Sequence, residues 1–402
     1  MIMLNPLLTA VAAPPIAEAQ RWVEGRSFPA DRPLIDLAQA VPGYAPPEAL
    51  VAHLAERLRD PAVHRYTAIL GLAELRAALA ARFARYYGGA IGPANIAITA
   101  GCNQAFCLAM AALARPGDQV VLPLPYYFNH RMWLDATGIE ALHPAFRPDA
   151  GGVPDVDEVA KLVTDRTRAI VLVTPNNPTG AIYPAETLRA FYELAKRRGI
   201  ALVLDETYID FLPTDDRPHD LFQDPDWGST VVHLYSFSKV FAITGHRVGS
   251  ITAGPALMAQ IEKAMDCVAI CAPRIGQEAA LFGLDQLGGW VQGNTASMRE
   301  RATVFRGVLS KLGGLSQPEG WRLVSLGAFF AYLEHPFAGR DAVEVARGLA
   351  LEHNLLTLPG SMFGPGQDRF LRVAFANVGS DVAPIVADRL TAALASSRDD
   401  AA

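Results

Sequence analysis

The feature that most constrains the fold is an alternation along the chain between about residues 95 and 255. Short apolar runs rich in β-branched residues alternate there with longer stretches rich in Ala and Leu. Runs that are apolar almost throughout indicate parallel strands covered on both faces. Helical stretches between such strands predict a mostly parallel α/β sheet with right-handed crossovers. The predicted strands are residues 95–99, 119–122, 169–174, 200–205, 231–235 and 248–252.

The C-terminal third has a different pattern. Strand-like segments at 322–333, 355–358 and 370–374 are interspersed with helix-like segments at 342–351 and 383–394. This pattern predicts a smaller α+β domain. A chain of 402 residues is also long enough for more than one domain, at roughly 150 residues each.

Composition and charge exclude several classes of protein. Hydrophobic residues make up 51% of the chain, which excludes intrinsic disorder. The net charge is -6 and no segment clusters Lys and Arg, so we expect no nucleic-acid partner. The four cysteines lack the spacing of a disulfide framework or a zinc site. Without a basic segment before Arg21 or a run of eighteen apolar residues, we expect a soluble, cytoplasmic protein that binds no membrane and no metal.

The most informative segment follows a predicted strand and reads Ser236-Phe237-Ser238-Lys239, with Arg247 eight positions after the lysine. Ligands of open α/β sheets bind at the carboxyl ends of strands. Two hydroxyls and a guanidinium suit a phosphate group. A neighbouring cation and partial burial would lower the pKa of the lysine and favour a Schiff base. A solvated loop is the alternative interpretation.

Three other segments place polar groups at strand ends. Asp205 ends an apolar run, where its carboxylate could pair with the protonated pyridine nitrogen of a cofactor, and the Tyr208 hydroxyl could reach the same cofactor. The alternatives for Asp205 are a helix N-cap, or a magnesium site shared with Glu206. Asn177 lies in a rigid Asn-Asn-Pro-Thr-Gly turn, and Gly101 allows backbone N–H groups at a helix start to face an anion.

In this order, the four segments resemble the pyridoxal-phosphate-dependent aminotransferases of class I/II, the aspartate aminotransferase fold family. The resemblance extends from about Leu37 to Val378, nearly the whole chain. It implies pyridoxal 5'-phosphate as cofactor, a homodimer, and amino acid and 2-oxo acid substrates. It also implies a large domain over residues 46–284, with a mostly parallel seven-stranded sheet flanked by helices. Residues 1–45 and 285–402 would form the N-terminal arm and the smaller α+β domain.

The resemblance assigns a role to each matching residue. Lys239 would carry the cofactor as a Schiff base and move the proton, while Asp205 would hold the pyridine nitrogen protonated. Tyr208 and Asn177 would bond the phenolic oxygen, and Tyr127 would stack on the ring. Further implied contacts are Cys102, Asn103, Ser236, Ser238 and Arg247 with the phosphate, Tyr66 with the phosphate across a dimer interface, and Ala40, Asn177 and Arg372 with the substrate. The chain departs from the family at Ala40, where glycine is frequent, and at Cys102 and His246.

The expected reaction moves the amino group of an L-amino acid to a 2-oxo acid. Family members specific for dicarboxylates carry a second arginine, but Asp266 or Cys267 occupies the comparable place here and Arg274 comes several residues later. A neutral or aromatic donor is therefore expected, in a pocket lined by Tyr66, Tyr127, Phe128 and Ile270. The alternatives are a C-S beta-lyase acting on sulfur amino acids and an aspartate aminotransferase. A transcriptional regulator is disfavoured, because about thirty residues before the fold leave no room for a DNA-binding domain.

The N-terminal twenty residues are apolar and show no obvious amphipathic face. A second copy of the chain would cover such a segment, which also favours a homodimer.

Overall fold

The computed structural model describes residues 2–313 and 320–399. Within these ranges, no helix is both long and apolar enough to cross a membrane. The helices are α1 (Pro6–Thr9), α2 (Pro15–Val23), α3 (Glu48–Arg57), α4 (Ala73–Tyr87), α5 (Cys102–Leu113), α6 (Phe128–Ala136), α7 (Val156–Leu162), α8 (Ala185–Arg198), α9 (Phe237–Val240), α10 (Pro255–Ala269), α11 (Arg274–Gln286), α12 (Gly288–Leu309), α13 (Ala342–Glu352) and α14 (Val382–Asp399). The strands are β1 (Ile35–Asp36), β2 (Ile96–Thr99), β3 (Gln119–Val121), β4 (Glu140–Leu142), β5 (Thr167–Val173), β6 (Ala201–Asp205), β7 (Val231–Ser236), β8 (Gly249–Thr252), β9 (Arg322–Gly327), β10 (Phe330–Glu334), β11 (Leu355–Leu356), β12 (Leu358–Pro359) and β13 (Phe370–Ala374).

The large sheet has seven strands in the order β2-β8-β7-β6-β5-β3-β4. All neighbours are parallel except β8, which runs antiparallel to both β2 and β7. The predicted seven-stranded, mostly parallel sheet is confirmed. The apolar runs located six of its strands and missed β4, because this short edge strand carries an exposed Glu140 and no continuous apolar run.

Alternate residues of each central strand pack into different layers, because successive side chains of a strand point to opposite faces. In β6, Leu202 and Leu204 belong to the core shared with α4 and α8, whereas Ala201 and Val203 belong to the core shared with α5 and α10. Asp205 continues the alternation of Ala201 and Val203, so its side chain faces the α5 side of the sheet.

A second sheet, β12-β13-β10-β9, is antiparallel and packs with α12, α13 and α14. β1 pairs in parallel with β11, with Ile35 opposite Leu355, so the N-terminal segment joins the C-terminal part of the chain. α12 starts against the large core at Trp290 and ends in the smaller core at Phe305. The domain limits near residues 45 and 285 remain a prediction.

The N-terminal arm differs from the expectation, because α2 is amphipathic. Pro15, Ala19 and Val23, one helical turn apart, are its buried residues. Ala19 and Val23 share an apolar cluster with Ala350 of α13. Polar residues lie between these three positions, so the overall composition of the segment does not reveal their four-residue spacing. The segment before α2 stays exposed at five large apolar residues, Ile2, Met3, Leu4, Leu7 and Leu8.

Candidate active site

The carboxyl ends of β5, β6 and β7 meet at a cavity of about 140 Å³. Parallel strands place their carboxyl ends along one edge, so segments distant in sequence converge there. Ten of the predicted site residues line this cavity, namely Cys102, Asn103, Tyr127, Asn177, Asp205, Tyr208, Ser236, Ser238, Lys239 and Arg247. Val173, Thr207 and Thr244 also line it and were not predicted.

Lys239 lies in α9, the short helix that follows β7. Its Nζ donates a hydrogen bond of 2.7 Å to the backbone oxygen of Ala40. Burial, together with the positive charges of Arg247 and Arg372, lowers the pKa of Lys239 to about 8. At pH 7 about a tenth of such an amine is neutral, compared with less than about a thousandth of an ordinary lysine. The site therefore makes Lys239 a competent nucleophile and base.

Asp205 is a buried carboxylate in the lining of the cavity. Its Oδ1 accepts hydrogen bonds from the Thr207 backbone N–H (3.0 Å) and the Thr207 hydroxyl (2.7 Å). Its Oδ2 lies 3.3 Å from Nε2 of His130. Burial acts to raise the pKa of Asp205, but the interactions with His130 and Thr207 outweigh it and hold the pKa below its usual value. The carboxylate is thus ionised across the neutral range.

The structure decides between the readings of Asp205 that the sequence left open. The short 3-10 helix after β6 starts at Ile209 with Tyr208 as its cap residue, so Asp205 does not cap a helix. Glu206 bonds to His233 of β7, on the α4 side of the sheet, so it cannot share a metal ion with Asp205. His130 was not predicted as a partner of Asp205. The one indication in the sequence was its position one helical turn after Tyr127.

An anion cradle closes one end of the cavity. Gly101, with φ +83°, turns the chain from β2 into α5, so the helix starts at Cys102 in the cavity wall. A Cβ at Gly101 would collide with the Arg247 guanidinium. Arg247 Nη1 lies 3.5 Å from the Ser238 hydroxyl oxygen, and the Ser236 hydroxyl oxygen accepts from the Ser238 backbone N–H at 3.2 Å. Hydroxyls, a guanidinium and a helix start are the donors that a phosphate requires.

Tyr127, Asn177 and Tyr208 line the same cavity as Lys239 and the cradle. The Tyr127 hydroxyl lies 3.4 Å from Asn103 Oδ1, and Asn177 Oδ1 accepts from Arg372 Nη1 at 3.0 Å. Burial raises the pKa of Tyr127 to about 12 and that of Tyr208 well above its usual value. Both phenols therefore stay protonated and can donate hydrogen bonds near neutral pH.

Arg372 on β13 is 1% exposed and lies beside the cavity rather than in its lining. It bonds to Asn177 and to the Ala38 backbone oxygen, between the rings of Phe330 (5.3 Å) and Phe363 (5.1 Å). Its Nε has no partner among the described residues. Burial lowers its pKa to about 10, which leaves it a cation at neutral pH. A buried cation with a free donor suits a carboxylate ligand.

Besides Arg372, two predicted residues lie outside the cavity lining. Tyr66 is 74% exposed on the surface, so within one chain it does not contact the site. Ala40 contributes its backbone oxygen, which accepts from Lys239. The departure from glycine at this position therefore leaves the backbone group directed at the lysine.

The residues expected to contact the side chain of the amino donor do not lie together in the structure. Asp266 and Cys267 are exposed on α10, and Ile270 is exposed just after it. Arg274 is held by Glu278 at 3.2 Å and by the Ala62 backbone oxygen at 2.6 Å. Phe128 packs against Phe363 and lines a neighbouring cavity of about 520 Å³. Of the four lining residues expected from the sequence, Tyr127 is the one that lines the Lys239 cavity.

Fold and site together define a class of enzyme, and comparison with known proteins gives the family. Residues 32–390 match the model of the family described as aminotransferase class I and II, and the chain belongs to this family. The protein is an aminotransferase, as the sequence motifs predicted.

Individual relatives cover most of the chain. An aromatic aminotransferase of Arabidopsis thaliana is 29% identical over 86% of this chain and 85% of its own. An aspartate/prephenate aminotransferase of Thermus thermophilus is 30% identical over 82% of this chain and 84% of its own. The structure of an aspartate aminotransferase from Thermus thermophilus with maleate superimposes with a TM-score of 0.88, at 25% identity, covering 98% of this chain and all of that one.

Proposed function

We propose that the cavity binds pyridoxal 5'-phosphate and that the enzyme transfers the amino group of a neutral or aromatic L-amino acid to a 2-oxo acid. One observation carries the proposal: a buried lysine amine, a buried ionised carboxylate and a phosphate cradle line a single cavity. These groups match an aldehyde, a pyridine nitrogen and a phosphate. When bound, the cofactor supplies an electron sink that allows the amino group to pass between two carbon skeletons.

The residues of the chain have separable tasks in this scheme. Lys239, with a pKa of about 8, can both accept and return a proton near neutral pH. Asp205 would hold a proton on the ring nitrogen through its negative charge. Tyr208 would donate to the phenolic oxygen, and Asn177 links this region to Arg372 through their hydrogen bond. Tyr127 provides an aromatic face for the ring.

The phosphate would be held by the cradle, and the substrate carboxylate by Arg372. The cradle comprises the hydroxyls of Ser236 and Ser238, the Arg247 guanidinium, and the start of α5 at Cys102 and Asn103. Arg372 is buried, cationic and has a free Nε–H among the described residues, which fits the α-carboxylate of an amino acid.

The donor proposal depends on the charges near the cavity. Among the described residues, Arg247 is the one arginine that lines the cavity, and it already belongs to the proposed phosphate cradle. Arg274 is already bonded to Glu278 and to backbone, so it is not available for a second substrate carboxylate. The aromatic rings of Tyr127, Phe330 and Phe363 lie close by. Aspartate is the second candidate donor, because several relatives are named aspartate aminotransferase.

The proposed active form is a homodimer. Tyr66 and Val268 are 74% and 65% exposed, and the apolar residues before α2 are exposed as well. Covering such surface with a second copy would bury apolar area, and it would allow Tyr66 to reach the partner's cradle. The cytoplasmic location remains a prediction from the sequence.

Two measurements test this proposal. The purified protein should absorb in the visible range, and borohydride should fix the cofactor to Lys239 in the wild type but not in Lys239→Ala. A panel of twenty amino acids with 2-oxoglutarate or pyruvate should give higher kcat/KM for phenylalanine, tyrosine, methionine, leucine or alanine than for aspartate. A higher value for aspartate than for every neutral and aromatic donor would refute the donor assignment. Ammonia and pyruvate released without an acceptor would instead support the lyase.

A further inference from the structure

We propose that Glu206 and Asp210 are positioning residues that anchor, from the opposite side of the sheet, the turn carrying Asp205 and Tyr208. This turn, residues 205–211, is called the catalytic turn below. The inference rests on the proposed roles of Asp205 and Tyr208. It concerns two buried carboxylates that do not line the cavity.

The first anchor is Glu206, which is fully buried on the α4 side of the sheet. One carboxylate oxygen accepts hydrogen bonds from the Tyr87 hydroxyl of α4 and from His233 of β7, the latter at 3.0 Å. The other oxygen lies 3.3 Å from Nε2 of His219. Tyr87, His219 and His233 are each at most 1% exposed, so Glu206 is enclosed by groups without access to water, and two of them, Tyr87 and His233, hydrogen-bond to it.

The second anchor is Asp210, four residues later. Its side chain is 4% exposed and forms an ion pair with Arg82 of α4. It also accepts a hydrogen bond of 2.7 Å from the Tyr235 hydroxyl of β7. The Asp210 backbone oxygen accepts from Thr295 of α12 at 3.0 Å. Asp210 thus connects the end of the catalytic turn to the same two elements that hold Glu206.

The two anchors have one architecture. Each carboxylate bonds to one residue of α4, Tyr87 or Arg82, and to one residue of β7, His233 or Tyr235. His233 and Tyr235 are two residues apart on a strand, so they lie on the same face. The catalytic turn is therefore fixed near both ends from behind, while Asp205 and Tyr208 face the cavity.

Directional bonds matter here because few backbone bonds constrain the turn. Ile209 and Phe211 donate within the turn, to Glu206 and Tyr208, and Glu206 donates to Leu234 of β7. Catalytic groups need placement to within about half an ångström, which packing of their own side chains alone does not give. Apolar side chains would fill the same space without the cost of burying charge, so paired carboxylates at both ends indicate a requirement for position.

The test uses Glu206→Gln and Asp210→Asn, which keep shape and remove charge, with Asp118→Asn as the matched control. Asp118 is also a buried carboxylate, paired with Arg168 at 3.0 Å, but it lies at the amino end of β3, away from the cavity. Amide hydrogen exchange of a peptide covering 205–211 is measured by mass spectrometry in cofactor-free protein. Turnover is measured separately in the holoenzyme, as kcat and KM for the best donor.

In both anchor variants, the backbone amides of the catalytic turn should exchange about tenfold faster or more than in the wild type, and in the control variant they should not. Their kcat should fall about tenfold or more while KM changes by less than about threefold, because misplacement affects the reacting groups rather than the Arg372 contact. If either variant fails to fold, Tyr87→Phe and Tyr235→Phe each remove one hydroxyl from an anchor. These variants should show the same pattern at about threefold.

Exchange and kcat equal to those of Asp118→Asn in all folded anchor variants would overturn the inference. The exchange measurement does not need cofactor. Failure of the anchors is therefore distinguishable from failure of the proposed function, which would appear as a wild type without a Lys239-linked chromophore.

Discussion

Replacing Asp205 by Asn and by Ala separates its charge from its contribution to the turn. In the wild type, Oδ1 accepts two hydrogen bonds from Thr207, and Oδ2 faces His130 at 3.3 Å. Asn keeps an oxygen for Thr207 but loses the negative charge and the oxygen that faces His130. Ala loses both oxygens. The two variants therefore share the loss of charge and differ in the turn.

The expected magnitudes follow from these contacts. Loss of one preorganised charged group costs roughly a hundred- to thousandfold in kcat, or about 2.7–4 kcal/mol. Loss of the acceptor for a buried donor costs about 1–3 kcal/mol of folding stability. Asp205→Asn should thus lose turnover with a small loss of unfolding free energy, from the His130 contact alone, whereas Asp205→Ala should lose turnover by a similar factor and lose more stability, because the Thr207 donors also lose their acceptor.

The assays are kcat under saturating donor and acceptor, and urea unfolding of the cofactor-free protein with Asp118→Asn as the control for a buried carboxylate. The pKa of Asp205 lies below its usual value, so wild-type turnover between pH 6 and 9 should show no titration of this group. A kcat for Asp205→Asn within tenfold of the wild type, combined with a loss of stability in Asp205→Ala, would show that Asp205 serves the turn alone.

Three further predictions concern the lysine, the cradle and the dimer. In cofactor-free protein, the rate of acetylation of Lys239 should increase with pH through a midpoint near 8, because only the deprotonated amine is nucleophilic. A midpoint above about 10, as in free lysine, would contradict the lowered pKa of Lys239. Gly101→Ala should weaken cofactor binding about tenfold or more, because its Cβ meets Arg247, whereas Gly117→Ala, with a similar φ of +87° and open space around it, should not; equal dissociation constants would refute the cradle. Sedimentation at assay concentration should show a dimer, and Tyr66→Phe should weaken cofactor binding without changing that mass; an active monomer would exclude the role proposed for Tyr66.

Much of the large domain was predictable because its physical causes are local. Strands β5, β6 and β7 are buried on both faces, which requires the continuous apolar runs seen in the sequence. Lys239 and Asp205 were identifiable because polar residues directly after such runs lie at the ligand edge of a parallel sheet. Gly199 ends α8 for an equally local reason, because it adopts φ +63°, which favours glycine. Strand β4 lacked this signal, since an edge strand needs no apolar run.

The amino-acid sequence by itself determined which residues end the strands, and therefore which chemistry gathers at the sheet edge. Only the tertiary structure decided the partners of those residues. It placed His130 against Asp205, and joined Arg372 to Asn177 across 195 positions of the chain. It also paired Arg274 with Glu278 at 3.2 Å. Periodicity and turn preferences depend on neighbours along the chain, whereas these contacts depend on strand order and on the packing of elements far apart in sequence, which no local pattern records.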